Sequence, residues 1–303
     1  MRAIVTGGAG FIGSHVADAL LARGETVHVV DDLSSGKREH VPQGAELHEL
    51  DIRGDTLAGV VVDVRPDVVF HLAAQADVGT SVERPAFDAD VNVLGTIQVL
   101  EAARAVGARV VFSSTGGAIY GECERPARED DERRPLSPYA TSKLAGEEYL
   151  ATWNRLYGTS HVACRLANVY GPRQRPSLEG GVVAIFLHRL REGREVEIFG
   201  DGNQTRDFIY VGDVVEAFIA AAAASGSGVF NVGSGAEASV NALYALCARV
   251  TGVEREPRFA PERAGDLRRS VLDSARAARD LGWRSTTRLE EGVAQIWASM
   301  DAT

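Results

Sequence analysis

The chain has 303 residues, 45% of them hydrophobic, and a formal net charge of −10. That length fits one large core, or a main domain with a smaller lobe. The acidic balance, with no long basic run, argues against nucleic acid and anionic membrane as partners, and the longest apolar run, residues 217–224, is far too short to span a bilayer.

In chain order, residues 2–6 are a short apolar strand that runs into Thr6-Gly7-Gly8-Ala9-Gly10-Phe11-Ile12-Gly13. Val16, Ala19 and Leu20 then recur at helical spacing, and Gly24 closes that helix. Residues 26–30 form a second strand ending on Asp31-Asp32. Strand, glycine-rich turn, helix, strand and acid together predict a dinucleotide site. Gly7 permits the tight turn, Gly10 lets backbone approach a pyrophosphate, and Gly13 lets the helix pack on the strand. The helix start at Phe11 and Ile12 offers free N–H groups to phosphate. Asp31 is placed to accept hydrogen bonds from the adenosine ribose, and a carboxylate there repels the extra phosphate of NADP, which favours NAD.

Further strands are predicted at 46–50, 68–72, 109–114 and 161–166, with helices between them. This alternation predicts an α/β fold with a doubly wound parallel sheet. Asp51-Ile52 is expected to meet the adenine. Leu72-Ala73-Ala74-Gln75 ends a strand in small residues that let the dinucleotide pass close. Asn92 is expected to brace the sheet by hydrogen bonds, and His71 reads as a structural residue. Residues 109–114 lead into Ser113-Ser114-Thr115-Gly116-Gly117-Ala118. The charged stretch 123–135 reads as an exposed loop leading to Ser137-Pro138-Tyr139-Ala140-Thr141-Ser142-Lys143.

On a helix, Tyr139 and Lys143 share one face. A lysine there lowers the pKa of a phenol and makes it a general acid or base. Alone, such a pair is an ordinary solvated helix face; downstream of a dinucleotide turn it is a catalytic pair. Ser114 or Thr115, at the strand end beside it, is expected to hydrogen-bond the reacting substrate oxygen. After Gly171-Pro172-Arg173 the pattern changes, with helices predicted at 182–192, 240–252, 274–281 and 288–299. Residues 1–170 are thus expected to bind the cofactor, with strands returning at about 205–235, and 171–303 to form mainly a substrate lobe. Cys123, Cys164 and Cys247 show no disulfide or metal spacing. With a strand at the very start and no signal peptide, they read as reduced thiols of a cytoplasmic protein.

The Gly7/Gly10/Gly13 spacing, Asp31-Asp32-Leu33-Ser34-Ser35-Gly36, residues 113–121 and Tyr139/Lys143 resemble the extended short-chain dehydrogenase/reductases, and within them the UDP-glucose 4-epimerases. Ala167-Asn168-Val169-Tyr170-Gly171-Pro172-Arg173, Phe199-Gly200-Asp201-Gly202 and Thr205-Arg206-Asp207-Phe208-Ile209-Tyr210-Val211 continue the resemblance. It implies that Asp32 to Gly36 and Ser113 also touch NAD. It implies that Asn168, Val182 and Val183 hold a sugar diphosphate clamped by Arg206 and Arg263. Glu197, Ile198 and Phe199 would flank uracil, and Asp266 would meet its ribose.

The implied reaction is inversion at C4 of a UDP-sugar. Tyr139 takes the 4-hydroxyl proton, hydride passes to NAD, the keto sugar turns, and hydride returns on the other face. Gly116-Gly117-Ala118 stands where related dehydratases carry an Asp-Glu pair, so no second acid/base pair is present for elimination. UDP-glucose/galactose is the expected substrate. UDP-glucuronate is the alternative if Arg173, Arg175, Arg189 and Arg191 supply a cation cluster. UDP-N-acetylglucosamine is the alternative because Ser270 replaces a bulky tyrosine of some relatives. A non-catalytic NAD-sensing protein is the alternative of another class. A homodimer through helices at about 90–106 and 139–157 is expected, with Val91, Val93, Leu94, Leu150 and Trp153 as candidate contacts.

Overall fold

The computed structural model describes residues 1–176, 181–262 and 266–301. Strands β1 (Arg2–Thr6), β2 (Thr26–Asp31), β3 (Glu46–Glu49), β4 (Val68–His71), β5 (Arg109–Thr115), β6 (Val162–Leu166) and β10 (Gly228–Val232) form one sheet. Its order is β10-β6-β5-β4-β1-β2-β3, and every neighbouring pair is parallel. The six predicted strands of this sheet match within one residue at each end.

The parallel sheet explains why these strands read as unbroken apolar runs rather than alternating ones: helices cover both faces. Side-chain parity sorts the residues. Val5, Val27, Val29, Phe70 and Val111 pack with Val16, Leu20, Val214 and Phe218 of helices Phe11–Ala22 and Val211–Ala223. Ile4, Val30, Val69, Val110 and Phe112 pack with Leu57, Val61, Val99 and Leu100 of helices Thr56–Val64 and Gly95–Val106. Leu150, on the long helix Pro138–Tyr157, belongs to this second core. Of the two roles open to it, subunit contact or core packing, burial within the chain accounts for it as core. The strand order reverses between β1 and β4, and ligands of such sheets bind beyond the strand ends there.

β7 (Asn168–Tyr170), β9 (Thr205–Tyr210), β11 (Glu237–Ser239) and β13 (Arg269–Ser270) make a second sheet around β9, and β8 (Glu197–Phe199) pairs in parallel with β12 (Arg258–Ala260). A third core of Val183, Phe186, Leu187, Ile198, Phe208, Leu243, Val293 and Ile296 joins helices Val182–Arg191, Val240–Thr251 and Leu289–Asp301 to these strands. The 123–135 segment is less exposed than expected. Ala127 is buried and bridges Leu272, and the Glu129 side chain accepts from the Asn231 N–H. Among the described residues, no helix is long and apolar enough to cross a membrane.

Candidate active site

The glycine turn after β1 is tight because backbone crowds each side of it. Gly7 adopts φ +69°, and a Cβ on it would stand 2.7 Å from the Ala73 nitrogen. A Cβ on Gly13 would stand 2.1 Å from the Gly7 carbonyl oxygen, so any side chain there would push the helix off the turn. At Gly10 a Cβ would meet only the Gly7 oxygen, at 3.1 Å, leaving the other sides open for a ligand. Gly10 is also the N-cap of helix Phe11–Ala22 and offers no capping side chain, so the first N–H groups remain for an anion.

Asp31, at the end of β2, is buried and accepts from the backbone N–H of Ala9 (2.9 Å) and Leu33 (2.9 Å). Burial pushes its carboxyl up. The two N–H groups fix the carboxylate and leave lone pairs for ribose hydroxyls. Gly36 closes against it: a Cβ there would lie 2.8 Å from Asp31 Oδ1. Asp32 shapes the same loop by accepting from the Ser34 backbone and hydroxyl, and Ser35 offers its carbonyl to Arg175. The residues present fit a dinucleotide. Asp51 is less available than expected, since Arg53 grips its carboxylate with Nε 3.0 Å from each oxygen, and Ile52 is buried against Gly95.

Beyond β4, Thr6 Oγ1 accepts from the N–H groups of Leu72 and Ala73 and donates to His71 Nδ1. His71 Nε2 meets Thr96 Oγ1 at 3.0 Å, and Thr96 in turn donates to the Asn92 carbonyl. That chain requires the neutral Nε2–H tautomer, in line with burial holding His71 down to about 3. Asn92 sits in a π-helical turn, Asp90–Leu94. It exchanges hydrogen bonds with the Gln75 backbone (2.9 Å each way) and donates to Ser142 Oγ (3.1 Å). It therefore braces the loop after β4, where Ala73 and Ala74 lie, to the Tyr139 helix.

The chemical centre lies where that helix meets the end of β5. Ser137 caps the helix by accepting from the Ala140 N–H, and Pro138 occupies its first turn. Gly146 lets the helix press on the strand: a Cβ there would stand 2.7 Å from the Phe112 ring. The approach brings Lys143 Nζ to 2.9 Å from the Ser113 carbonyl and 4.9 Å from the Phe112 ring centre. Lys143 is 3% exposed, and burial pulls its ammonium down to about 8, with Asp88 acting weakly the other way. Tyr139, one turn earlier, is half-buried on the same face.

The neighbouring hydroxyls differ. Ser114 is buried and donates to Glu147 Oε1 at 2.5 Å. Glu147 also takes the fork of Arg165, from Nε (3.0 Å) and Nη2 (2.7 Å). Arg165 Nη1 donates to the Tyr120 hydroxyl (2.6 Å), which donates to Asn231 Oδ1 (2.8 Å). Thr115, the last residue of β5, is half-buried, and its hydroxyl makes no hydrogen bond among the described residues. Glu147 was missed by sequence reasoning although it lies one more turn along the face of Tyr139 and Lys143. Arg165 stands inside an apolar strand, where a charge already asks for a partner.

Across the cleft, Asn168 opens β7, and its Oδ1 lies 3.1 Å from where a Cβ on Gly117 would stand. Ser270 Oγ donates to the Gly117 carbonyl at 3.3 Å, which puts position 270 beside the chemical centre. Val182 and Val183 begin a ten-residue helix capped by Gly181 without a side-chain bond, so its first N–H groups are left unpaired by a capping side chain. Arg206 forms an ion pair with Asp266, which joins two of the predicted substrate residues. Arg263 lies outside the described residues.

Two expectations are narrowed. The Ile198 side chain is 1% exposed and lies in the third core, because strand alternation turns it away from the faces of Glu197 and Phe199, so its part in the segment expected to flank uracil falls to its backbone. Three of the four arginines considered for a sugar carboxylate have partners elsewhere. Arg173 pairs with Asp18, Arg175 reaches Ser35, and Arg189 reaches the Glu195 carbonyl.

The model of the NAD dependent epimerase/dehydratase family matches residues 3–233. The UDP-glucose 4-epimerase of Mycolicibacterium smegmatis is 49% identical over 305 aligned positions, covering 97% of each chain. Among solved structures, the Thermotoga maritima UDP-glucose 4-epimerase with UDP-glucose is 45% identical, with a TM-score of 0.97 and full coverage of both chains. The Thermus thermophilus UDP-glucose 4-epimerase complex with NAD is 44% identical, with a TM-score of 0.94 and the same coverage. On the matched span and these identities, with the glycine turn, Asp31 and the Tyr139/Lys143 helix assembled around one sheet end, the chain belongs to the NAD dependent epimerase/dehydratase family.

Proposed function

We propose that this protein is an NAD-dependent UDP-sugar 4-epimerase whose main substrates are UDP-glucose and UDP-galactose. The observation that carries the reading is the buried Lys143 ammonium, held by a strand carbonyl one turn from Tyr139 and forming no ion pair among the described residues. An ammonium kept dry in this way stabilises a phenolate beside it. The glycine turn, Asp31 and the loop 32–36 hold the cofactor, with Asp51, Ile52, Leu72 to Gln75, Asn92 and Ser113 completing its bed. Bound NAD supplies hydride acceptance and return. Tyr139 takes the proton from the sugar 4-hydroxyl and later gives it back. Thr115 is the hydroxyl that steadies that oxygen, since Ser114 is committed to Glu147. Asn168, the helix start at Val182 and Val183, Arg206 and Arg263 anchor the diphosphate while the oxidised sugar turns. Glu197, Phe199 and Asp266 hold the nucleoside. In this reading residues 1–170, with β10 returning, form the cofactor domain and 171–303 mainly the substrate lobe. The protein works in the cytoplasm as a homodimer, through exposed Leu94, Tyr149 and Leu156 on the long helices.

The test is to incubate the purified protein, without added cofactor, with UDP-glucose, UDP-N-acetylglucosamine and UDP-glucuronate separately. A C4 epimer of UDP-glucose is expected, and Tyr139→Phe is expected to slow it by about 10²–10⁴-fold. No product from UDP-glucose, even with added NAD, overturns the reading. Turnover of UDP-N-acetylglucosamine is a second expected outcome, because the small Ser270 beside Gly117 leaves room for an N-acetyl group.

A further inference from the structure

A second cluster of ligating side chains lies away from this site, at the sheet edge. His28 of β2 is the register partner of Glu46 in β3, and His48 follows two residues later on the same face of β3. His28 Nδ1 and His48 Nε2 are 3.1 Å apart. Glu46 places Oε2 3.4 Å from His28 Nδ1 and Oε1 3.8 Å from His48 Nε2. The rings are mostly covered, with side-chain exposures of 13% and 19%, while the carboxylate is open to solvent. One ligand atom from each of the three residues thus lies within 4.8 Å of the other two.

From this geometry we propose that His28, Glu46 and His48 bind a divalent transition metal ion of the zinc or cobalt class. Zinc–nitrogen bonds of about 2.0–2.1 Å at a tetrahedral angle set two ligand nitrogens about 3.3 Å apart, close to the spacing here. Two imidazoles and one carboxylate favour a borderline ion over magnesium or calcium, which take oxygen ligands. A His–His hydrogen bond alone accounts for the ring contact but not for a carboxylate reaching both nitrogens. The charges act both ways: Glu46 favours a cation, and the Arg2 guanidinium opposes it. The site is not part of the reaction centre. Its strand parity is opposite to that of Asp31, and Asp31 lies three residues, about 10 Å, further along β2. A bound ion would clip β3, a four-residue edge strand, to β2 and so steady the loop at Asp51 and Ile52 that follows it.

The test uses the full chain stripped with a chelator. Titration with Co²⁺ followed by visible absorbance, and with Zn²⁺ by calorimetry, is expected to give one equivalent. Excess Zn²⁺ should raise the thermal midpoint by about 5 °C. His48→Gln and Glu46→Gln, shown by thermal unfolding to fold like the metal-free parent, are expected to lose the cobalt spectrum and the shift. No uptake at about tenfold molar excess overturns the proposal. So does uptake that survives a His28→Gln/His48→Gln double variant. Loss in the histidine variants but not in Glu46→Gln overturns the three-ligand assignment.

Discussion

Lys143 and Glu147 stand one turn apart on the same helix, each 3% exposed, and their surroundings are opposite. Glu147 has its charge matched by the Arg165 fork and its remaining capacity used by Ser114. Lys143 has a carbonyl and an aromatic face, and burial drives its ammonium toward neutrality. A buried charge with a full set of partners holds structure together. One held dry against a carbonyl and an aromatic face is the kind that functional sites collect.

The sharpest way to break this contrast is to delete one half of the matched pair. Glu147→Ala leaves Arg165 charged and dry, and should destabilise the fold by about 3–5 kcal/mol in chemical denaturation. Replacing both partners, Glu147→Leu with Arg165→Met, should recover most of that loss, because two apolar groups need no compensation. A single-variant loss under about 1 kcal/mol would show that the pair is not the anchor described.

Lys143→Met should act in the other direction. Holding the ammonium at about 8 instead of 10.5 opposes folding at neutral pH by about 3 kcal/mol at most, at 1.36 kcal/mol per unit. Losing the bond to Ser113 returns about 1 kcal/mol. The variant should therefore be more stable by about 1–2 kcal/mol while turnover falls by about 10²-fold or more. The pH dependence fixes the sign. Between about 8 and 10.5 the unfolded chain keeps the lysine proton that the native protein has released, so this group makes stability rise with pH in that window. Below about 8 its penalty is fully present. Subtracting the Lys143→Met denaturation curves from those of the parent should reveal this rise, and a flat difference would remove the burial argument.

The sequence carried the fold far because the sheet is parallel: its strands are apolar runs bounded by turns, and the boundaries of the first six fell within a residue of expectation. The cofactor turn was legible for the same local reason, since Gly7 and Gly13 are required by backbone within 3 Å and Gly10 keeps the turn open. What escaped depends on contacts distant in sequence. Glu147 meets Arg165 from another strand, Asn92 ties Gln75 to Ser142, and Ala127 is buried by Leu272 across a charged loop. The burial of the Ile198 side chain was not legible because a three-residue strand shows too little alternation to declare its faces.

The choice between Ser114 and Thr115, open in the sequence, gives the smallest and most discriminating test. Adjacent residues of a strand point to opposite faces, so only one of the two hydroxyls can face Glu147. Ser114 does, and Thr115 is left without a partner among the described residues. Ser114→Ala removes one bond to a carboxylate that keeps its arginine, so stability should drop by about 1 kcal/mol with turnover within a few-fold. Thr115→Val keeps shape and should change stability by less than about 0.5 kcal/mol, yet slow turnover by about 10²-fold, the loss expected when one aligned donor to a reacting oxygen is removed. If the two variants exchange these phenotypes, Ser114 is the catalytic hydroxyl, and its bond to Glu147 must break when substrate binds.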